Sequence, residues 1–329
     1  MSYRASQRPA GVIGFAAIAL IITACTVRTP VSMEVAHYAD AAVEYMEDGL
    51  YAEGPAWEAK RDEAIAKLYR AASIEDTYPL LESLVVEAGG LHSALLTPAD
   101  VARNSASFDP EAEFPLPAVQ SVGAGISALT LPAFNGTETA AVARYQEAAL
   151  SAVKDARAQT SCGWIVDVRS NGGGNAYPML SSVAPLLSDG RVLGFRNRNS
   201  NTTWISVSNG NLHADMAAVP PPTPNFSVDQ PVAVLTDRAT ASAAETVVVA
   251  FSGQLRTAQF GTPTAGLTTS NETHLLSDGA ALVVSTAYYV NRHGKIFNAR
   301  IAPTSNLAAW DTVETAVAWL ESQCAGSLR

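Results

Sequence analysis

The segment Pro231-Val-Ala-Val-Leu-Thr-Asp-Arg-Ala-Thr-Ala-Ser-Ala-Ala-Glu245 joins an apolar run, a short turn and the small-residue start of a helix. The run at residues 232–236 is bounded by turn residues, which is typical of a buried strand. Ser242 then falls in the first turn of the helix, where backbone N–H groups lack helical partners and favour negative charge. We therefore predict a strand–turn–helix unit that presents Ser242 as a candidate nucleophile.

The same serine also has a purely structural interpretation. Ser242 and Glu245 have the spacing of a capping box, in which the serine hydroxyl accepts from the backbone and the glutamate reaches back to the first N–H. Most serines in this pattern only cap a helix, so the segment taken alone favours the capping role.

A second predicted strand runs directly into three glycines, in Gly163-Trp-Ile-Val-Asp-Val-Arg-Ser-Asn-Gly-Gly-Gly174. Glycines at a strand end let the backbone approach a ligand closely, or leave N–H groups directed into a cleft where they can hold an oxyanion. A flexible turn is the alternative. The phosphate-binding patterns Gly-x-x-x-x-Gly-Lys-Ser/Thr and Gly-x-Gly-x-x-Gly are incomplete here, so a phosphate loop is disfavoured.

Strand-like and helical segments alternate around these two motifs. Strands are predicted at 124–131, 164–168, 232–236 and 282–290, and helices at 138–159, 242–253 and 311–324. Residues 34–90 are predicted to be a helical domain that ends at Gly89-Gly90, and residues 91–121 a loop or cap. The sequence thus predicts an α/β fold, with a helical N-terminal domain before an α/β core at 122–329.

The first residues have the layout of an export signal. Arg4 and Arg8 precede an apolar run at 11–22 that is too short to span a bilayer comfortably, and small residues lead to Cys25. The segment resembles bacterial lipoprotein signals, in which this cysteine becomes the lipidated first residue of the mature chain. An ordinary signal peptide with an incidental cysteine is the alternative.

We therefore predict a signal peptide at 1–24, a lipidated Cys25 and a tether at 25–33. The protein is expected to be exported and anchored through its lipid at the periplasmic face of a bacterial membrane, with the outer membrane favoured.

The charge balance argues against nucleic acid as a partner. The chain carries 21 basic and 31 acidic side chains, a net charge of −10; loss of residues 1–24 removes two arginines, which leaves 19 basic side chains and a charge of −12. A phosphate-binding surface needs clustered Lys and Arg, but the four lysines occur singly, at Lys60, Lys67, Lys154 and Lys295. The histidines are isolated and no zinc-binding spacing occurs, so we expect neither a metal nor a cofactor.

Two cysteines remain after Cys25. Cys162 precedes a predicted strand and Cys324 lies in the last predicted helix, and an exported protein meets an oxidising compartment. A disulfide between them would stabilise the fold by restricting the unfolded chain. Two separate buried thiols are the alternative.

An upstream histidine joins the two motifs into a recognisable set. Together with Gly89-Gly-Leu-His-Ser93, the chain resembles the C-terminal processing, or tail-specific, serine peptidases. Asp-Val-Arg-Ser-Asn-Gly-Gly-Gly is similar to that family's strand-to-glycine motif, and Thr-Ala-Ser-Ala-Ala-Glu to its nucleophile motif. Further similar segments are Gly123-Ala-Gly-Ile-Ser-Ala-Leu-Thr-Leu-Pro132, Phe260-Gly-Thr-Pro-Thr-Ala-Gly266 and Ile301-Ala-Pro303.

This resemblance covers about residues 89–325. It implies a crotonase-like (ClpP/crotonase-type) core and hydrolysis of peptide bonds in extended or unfolded polypeptides.

One departure from the family decides which dyad is expected. Family members carry a lysine in the loop after the nucleophile helix, and the matching position here is Leu267. The chain instead resembles the branch that includes the nisin-resistance peptidase, in which a serine and a histidine act together; Ala244 replaces the second serine of that branch's Thr-Ala-Ser-Ser-Ala-Glu motif. The resemblance implies Ser242 as nucleophile and His92 as general base.

The remaining site residues are expected around this pair. The Ala243 N–H and one N–H of the glycine loop would hold the oxyanion, with Gly173 preferred and Gly172 second. Glu245 is a possible supporting residue, although capping is its favoured role. A PDZ-type domain, usual in the family, needs at least about 50 residues. Only about 30 residues separate His92 from the first core strand, so we expect no PDZ domain there.

Two other functions remain open. The absent lysine would also fit an inactive protein of the same fold that binds peptides or other ligands, although retention of Ser242, His92 and the glycine loop favours an enzyme. Ser151-Ala-Val-Lys154 has the spacing of a penicillin-recognising motif, but it lies in an amphipathic helix and no Lys-Thr-Gly follows. The predicted function is a secreted, lipid-anchored serine endopeptidase or processing peptidase.

Overall fold

The structure of the protein is a computed structural model that describes residues 32–106, 114–215, 217–218, 220–306 and 312–326. The predicted signal peptide, Cys25 and most of the predicted tether lie outside the described residues. Among the helices that are described, none has the length and apolar character needed to cross a bilayer.

The helices occupy the N-terminal third and then alternate with strands. They are α1 (Met33–Met46), α2 (Gly54–Leu68), α3 (Tyr78–Gly89), α4 (Pro98–Ala106), α5 (Thr139–Ala156), α6 (Ala176–Val183), α7 (Ala243–Phe251) and α8 (Thr312–Gly326), with short 3-10 turns at Glu75–Thr77 and Ala184–Leu186. Helices α5, α7 and α8 coincide with the three helices that apolar periodicity predicts in the core.

The strands form two sheets. They are β1 (Ala94–Leu96), β2 (Ala118–Gly123), β3 (Ile126–Thr130), β4 (Gly163–Asp167), β5 (Gly190–Asn197), β6 (Thr202–Ser208), β7 (Asn211–His213), β8 (Val232–Thr236), β9 (Thr257–Gly261), β10 (Thr269–Leu275), β11 (Ala281–Asn291), β12 (Ile296–Phe297) and β13 (Ser305–Asn306).

The first sheet has the order β13-β9-β8-β4-β3-β2, in which β2 is antiparallel to β3 and the other neighbours are parallel. Its central strands are covered on both faces, which explains their continuous apolar sequences. Trp164 and Val166 belong to the apolar cluster that includes α5, α6 and α7, whereas Ile165 packs with α8. Because α7 follows β8 closely, its first residues lie at the carboxyl edge of this sheet.

The second sheet is antiparallel, in the order β1-β11-β5-β6-β7, with β10 and β12 also paired to β11. Strand β11 presents different residues on its two faces. Leu282 and Val284 pack in a cluster with α1, α2 and α3, while Val283 and Tyr289 line a cavity on the opposite face. The N-terminal helices and this cavity therefore share one strand.

Residues 91–121, predicted to be a loop or cap, contain β1, α4 and the start of β2. Strand β1 has three residues, too few to show alternation. Helix α4 does carry a start signal in its sequence: the Asp100 N–H donates to Thr97 Oγ1 (3.2 Å), and Asp100 Oδ2 accepts from the Thr97 N–H (3.1 Å). Apolar periodicity does not predict α4, because the helix is largely polar. The signal that marks its start is the pair of hydrogen bonds between Thr97 and Asp100.

A disulfide joins Cys162 and Cys324, whose Cα atoms are 4.9 Å apart. It links the residue before β4 to α8, beside the apolar cluster that contains Ile165 and Leu320. The C-terminal helix is thus attached to the sheet both covalently and by packing.

Candidate active site

Ser242 immediately precedes α7 in a backbone conformation that few residues with a side chain adopt. Its φ is 53° and its ψ is −115°, a combination that costs about 1–3 kcal/mol and persists only where the surroundings enforce it. Such strain is characteristic of the sharp strand-to-helix turns that expose catalytic serines. Although every residue of α7 is buried, Ser242 is only half-buried.

Glu245 holds the backbone of Ser242 in this conformation. Its side chain is completely buried; Oε2 accepts the Ser242 N–H (2.9 Å), and Oε1 accepts the Thr264 hydroxyl (2.5 Å) and the Gly266 N–H (2.9 Å). Burial raises the pKa of Glu245, and the hydrogen bonds from Thr264, Gly266 and Ser242 act in the opposite direction. The carboxylate therefore fastens the start of α7 to the loop before β10.

The glycine loop after β4 lies directly against the nucleophile. A Cβ added to Gly173 would come within 2.7 Å of the Ala241 carbonyl oxygen and 3.0 Å of the Ala243 nitrogen, and the φ of Gly173 is +101°. Both facts require glycine at this position. Asn171 shapes the loop, because its side-chain Oδ1 accepts the Gly173 N–H (2.9 Å) and its carbonyl oxygen accepts the Ala241 N–H (3.0 Å).

Ala243, the first residue of α7, and Gly174 both line the cavity with Ser242, and their backbone N–H groups have no hydrogen-bond partner in the described part of the chain. The N–H of Gly173, the loop donor preferred from the sequence, is already bonded to a side chain. Gly172, the second choice, is exposed, as Gly174 is, but Gly172 is not among the residues that line the cavity.

His92 follows α3 and is half-buried beside β10. Its Nδ1 lies 2.9 Å from Thr269 Oγ1, and its carbonyl oxygen accepts a hydrogen bond from Asn271 Nδ2 (3.2 Å). Burial lowers the pKa of the His92 imidazole below its ordinary value of 6.5, an effect that a hydrogen bond with the backbone of Thr269 opposes. The imidazole is therefore neutral at neutral pH, as a general base must be.

Ser242 faces a cavity of about 360 Å³ whose wall also includes the residues that hold His92. Thr269 and Asn271 belong to this wall and both hydrogen-bond to the histidine. The other lining residues come from the glycine loop, α6, α7 and the second sheet: Gly174, Asn175, Ala176, Tyr177, Phe195, Ala243, Thr246, Ser270, Thr273, Val283 and Tyr289. The nucleophile motif and the glycine motif thus line one cavity, and His92 contacts two residues of its wall without being one of the lining residues itself.

Tyr289 contributes a hydroxyl group next to the nucleophile. The ring is buried on β11, and Tyr289 lines the same cavity as Ser242. Burial and, to a smaller extent, the charge of Glu245 raise the pKa of Tyr289, while the Ser242 side chain acts against this shift. The phenol therefore remains protonated at neutral pH.

The cavity contains no lysine among its lining residues. Within the ranges that the structure describes, no group of three or more His, Cys, Asp or Glu side chains is arranged to hold a metal ion. The titratable residues in the cavity wall are Tyr177 and Tyr289. His92 and Glu245 lie behind the wall, where they hydrogen-bond to lining residues.

Comparison with known protein families identifies the core. The profile described as peptidase family S41 matches residues 125–307, which is more than half of the chain and includes both motifs. The chain belongs to peptidase family S41. It is a serine-type peptidase, and its predicted resemblance to C-terminal processing serine peptidases is confirmed.

Individual relatives extend the likeness of this S41 peptidase towards its N-terminus. The nisin-resistance protein of Lactococcus lactis subsp. lactis is 27% identical over 292 residues, 87% of each chain. Among solved structures, a lipoprotein from Streptococcus agalactiae has a TM-score of 0.76 at 24% identity and covers 88% of this chain and 97% of its own. A photosystem II D1 C-terminal processing protease has a TM-score of 0.64 at 16% identity, with 84% and 94% covered.

These relatives bear on two of the predictions from sequence. The predicted affinity with the branch that includes the nisin-resistance peptidase is confirmed by the match to the Lactococcus protein. The mixed α/β class is confirmed, and the crotonase-like description of the core stays a prediction. His92 lies before the S41 segment, so its role does not follow from the family match.

Several residues of the site are not predicted by the sequence. Thr269 and Asn271 on β10 contact His92, Ser285 on β11 contacts both of them, and Tyr289 on β11 lines the cavity with Ser242. They form no local motif, because the contacts join positions far apart in the chain. Gly174 belongs to the glycine motif that the sequence analysis identifies. The sequence does not show which of the three glycines has a free N–H, because this depends on the hydrogen bond from the Gly173 N–H to Asn171.

Proposed function

We propose that this S41 peptidase cleaves peptide bonds in extended or unfolded polypeptides, with Ser242 as nucleophile and His92 as general base. One observation carries the proposal: a strained, cavity-lining serine shares its cavity wall with the residues that hold a neutral, half-buried histidine. The absence of lysine from the lining residues supports histidine as the base.

Acylation follows from this arrangement. Ser242 Oγ attacks the substrate carbonyl carbon while His92 Nε2 takes the hydroxyl proton, which forms a tetrahedral intermediate with a negatively charged oxygen. Collapse of the intermediate breaks the C–N bond, and the imidazolium gives its proton to the leaving amine. Ser242 is left as an ester of the N-terminal part of the substrate.

Deacylation uses the same groups in reverse. A water molecule attacks the ester carbonyl while His92 accepts its proton, and the second tetrahedral intermediate expels Ser242, which recovers its proton from His92. The products are a carboxylic acid and a free amine, and no cofactor enters either step.

The oxyanion is proposed to bind two backbone N–H groups at the glycine loop and α7. Ala243 supplies the first, because it begins α7 and follows the nucleophile. Gly174 is our choice for the second, in place of Gly173 or Gly172, because its N–H has no partner in the described chain and it lines the cavity. Each donor is expected to contribute about 100-fold or more in rate.

A second cavity gives an extended substrate room beyond the reacting bond. It has a volume of about 330 Å³ and shares Phe195 and Ser270 with the catalytic cavity. Its wall is mainly polar and includes Asp48, Asn197, Arg198 and Glu272. A polypeptide lying through both cavities would meet polar side chains on one side of the scissile bond, which favours substrates with polar residues there.

Export and lipid anchoring remain part of the proposal. The solved relative from Streptococcus agalactiae is described as a lipoprotein, and the Cys162–Cys324 disulfide fits an oxidising compartment. We infer that Cys25 carries the lipid and holds the peptidase at the periplasmic face of a membrane, the outer membrane being favoured.

The experiment is digestion of a peptide library and of an unfolded protein by wild type, Ser242→Ala and His92→Ala, followed by mass spectrometry. Wild type is expected to give fragments that disappear in both variants, and their termini define the cleavage preference. Fragments that persist with Ser242→Ala would contradict the assignment of the nucleophile. Peptides that bind wild type without being cleaved would favour the alternative of a binding protein.

A further inference from the structure

We propose that a closed ring of hydrogen bonds, built without a carboxylate, fixes His92 in the tautomer that leaves Nε2 free. The ring passes from His92 through Thr269, Ser285 and Asn271 and returns to the backbone of His92. The inference rests on the proposed Ser242–His92 chemistry and assigns the three other residues as positioning residues for the base.

The four contacts form an unbroken circuit. His92 Nδ1 lies 2.9 Å from Thr269 Oγ1, and the Thr269 hydroxyl is 3.1 Å from Ser285 Oγ. The Ser285 hydroxyl lies 2.7 Å from Asn271 Oδ1, and Asn271 Nδ2 is 3.2 Å from the His92 carbonyl oxygen. All four distances lie within or close to the range of good hydrogen bonds.

The direction of every hydrogen bond follows from the backbone carbonyl in the ring. The His92 carbonyl can only accept, so Asn271 must direct its NH₂ group there and its Oδ1 towards Ser285. Because Oδ1 can only accept, the single proton of Ser285 is committed to it, and Ser285 Oγ then accepts the single proton of Thr269.

Thr269 Oγ1 is left only with the role of acceptor towards His92. The proton of the neutral imidazole must therefore be on Nδ1, and Nε2 carries the free lone pair. In this tautomer Nε2, which takes no part in the ring of hydrogen bonds, can accept a proton from a serine.

The strands explain why these side chains meet. Asn271 is paired with Ser285 across β10 and β11, and the register shifts between Ser270 and Asn271. Ser285 also donates its N–H to Ser93 Oγ (2.9 Å), so the residue after His92 is fastened to the same strand. The ring of hydrogen bonds is thus held by the β10–β11 hairpin on one side and by His92 and Ser93, which follow α3, on the other.

The kinetic test compares Thr269→Val, which keeps the shape but removes the hydroxyl, with Thr269→Ser, which restores it. We expect Thr269→Val to lower kcat by at least about 10-fold with KM little changed, which is less than the about 10⁴-fold loss when a catalytic aspartate is replaced by asparagine. Thr269→Ser should recover most of kcat. Thr257→Val, on β9 and away from the cavity lining, is the matched control and should behave as wild type.

The tautomer is measured directly by nitrogen NMR of protein labelled with ¹⁵N-histidine. The His92 signals, assigned by their loss in His92→Gln, should show the proton on Nδ1 in wild type and a share of Nε2–H in Thr269→Val. The ring would be contradicted by a proton on Nε2 in wild type. It would also be contradicted if Thr269→Val kept the wild-type kcat while Ser242→Ala was inactive. Neither result would contradict the Ser242–His92 dyad. Failure of wild type to cleave any peptide would instead count against the proposed function, and the NMR result would still decide on the ring.

Discussion

At the scale of single residues, the two proposed catalytic side chains owe their properties to different local causes. Ser242 is shaped by its backbone, because the φ of 53° is enforced by the carboxylate of Glu245 and by the adjacent Gly173. His92 is shaped by its surroundings, since partial burial disfavours its charged form. Neither property depends on a lysine, which is consistent with Leu267 at the family's lysine position.

The lowered pKa of His92 predicts how activity depends on pH. Burial disfavours the imidazolium, so the neutral base persists to more acidic pH than it would for a free histidine. We expect kcat/KM to be retained at pH 6.5 and to fall only below it, as His92 becomes protonated. The measurement is the pH profile of kcat/KM on a cleaved peptide, with circular dichroism to confirm that the fold persists at each pH.

Two outcomes would contradict this assignment. An acidic limb centred above pH 6.5 would mean that His92 is not the base or is not desolvated as the structure shows. A rate that rises only towards strongly alkaline pH would indicate an amine base, because lysine ordinarily titrates near about 10.4.

The residues of the site differ in how far the sequence revealed them. Ser242 and His92 were reached through the resemblance to a peptidase family, because taken alone the serine had a better interpretation as a cap. Thr269 and Ser285 gave no signal, since a hydroxyl residue on a strand is common and its partner is decided only by strand register.

At the scale of secondary structure elements, the glycine loop and the start of α7 form one rigid unit. Gly173 has no space for a Cβ, whereas a Cβ at Gly172 would meet no atom within 4 Å. The two neighbouring glycines therefore offer a matched pair of substitutions.

We predict that Gly173→Ala displaces the nucleophile turn and lowers kcat/KM by at least about 100-fold, the size of the effect of one oxyanion donor. Gly172→Ala should stay within a few-fold of wild type. Peptidase assays on both variants, with thermal unfolding to show that both are folded, check the prediction. Equal activity of the two variants would mean that the loop does not fix the position of Ser242.

Helices and strands that bury an apolar face are predicted from the spacing of their apolar residues, whereas polar elements such as β10 are not. Strands β4 and β8 and helices α5 and α7 are apolar on the faces that they bury, so periodicity located them. Strand β10 reads Thr-Ser-Asn-Glu-Thr-His-Leu and has no apolar alternation, because several of its side chains line the cavities. Its place in the fold comes from pairing with β11, which sequence periodicity does not record.

At the scale of the whole molecule, hydrogen bonds connect the N-terminal helices to the hairpin formed by β10 and β11. Tyr38 of α1 and Tyr78 of α3 both donate hydrogen bonds to Asp278, in the turn between β10 and β11. The helices that precede His92 are thereby fastened to the hairpin that carries Thr269. These contacts attach the helices before His92, which lie outside the S41 segment, to a hairpin within that segment.

The other end of the chain is fastened by the disulfide. Cys162 and Cys324 are separated by 162 positions, so the bond closes a long loop and is expected to contribute about 2–5 kcal/mol by restricting the unfolded chain. The disulfide is consistent with the export proposed above, because such bonds persist in oxidising compartments.

Activation of Ser242 by His92 is measured most directly by labelling with a fluorophosphonate, which bonds covalently to activated serines. Intact-mass and peptide-mapping spectra of wild type should show a single adduct on the peptide that contains Ser242, and Ser242→Ala should show none. His92→Ala should react at least about 100-fold more slowly, the usual contribution of a general base. An adduct at another residue, no adduct in wild type, or labelling of His92→Ala at the wild-type rate would contradict the dyad.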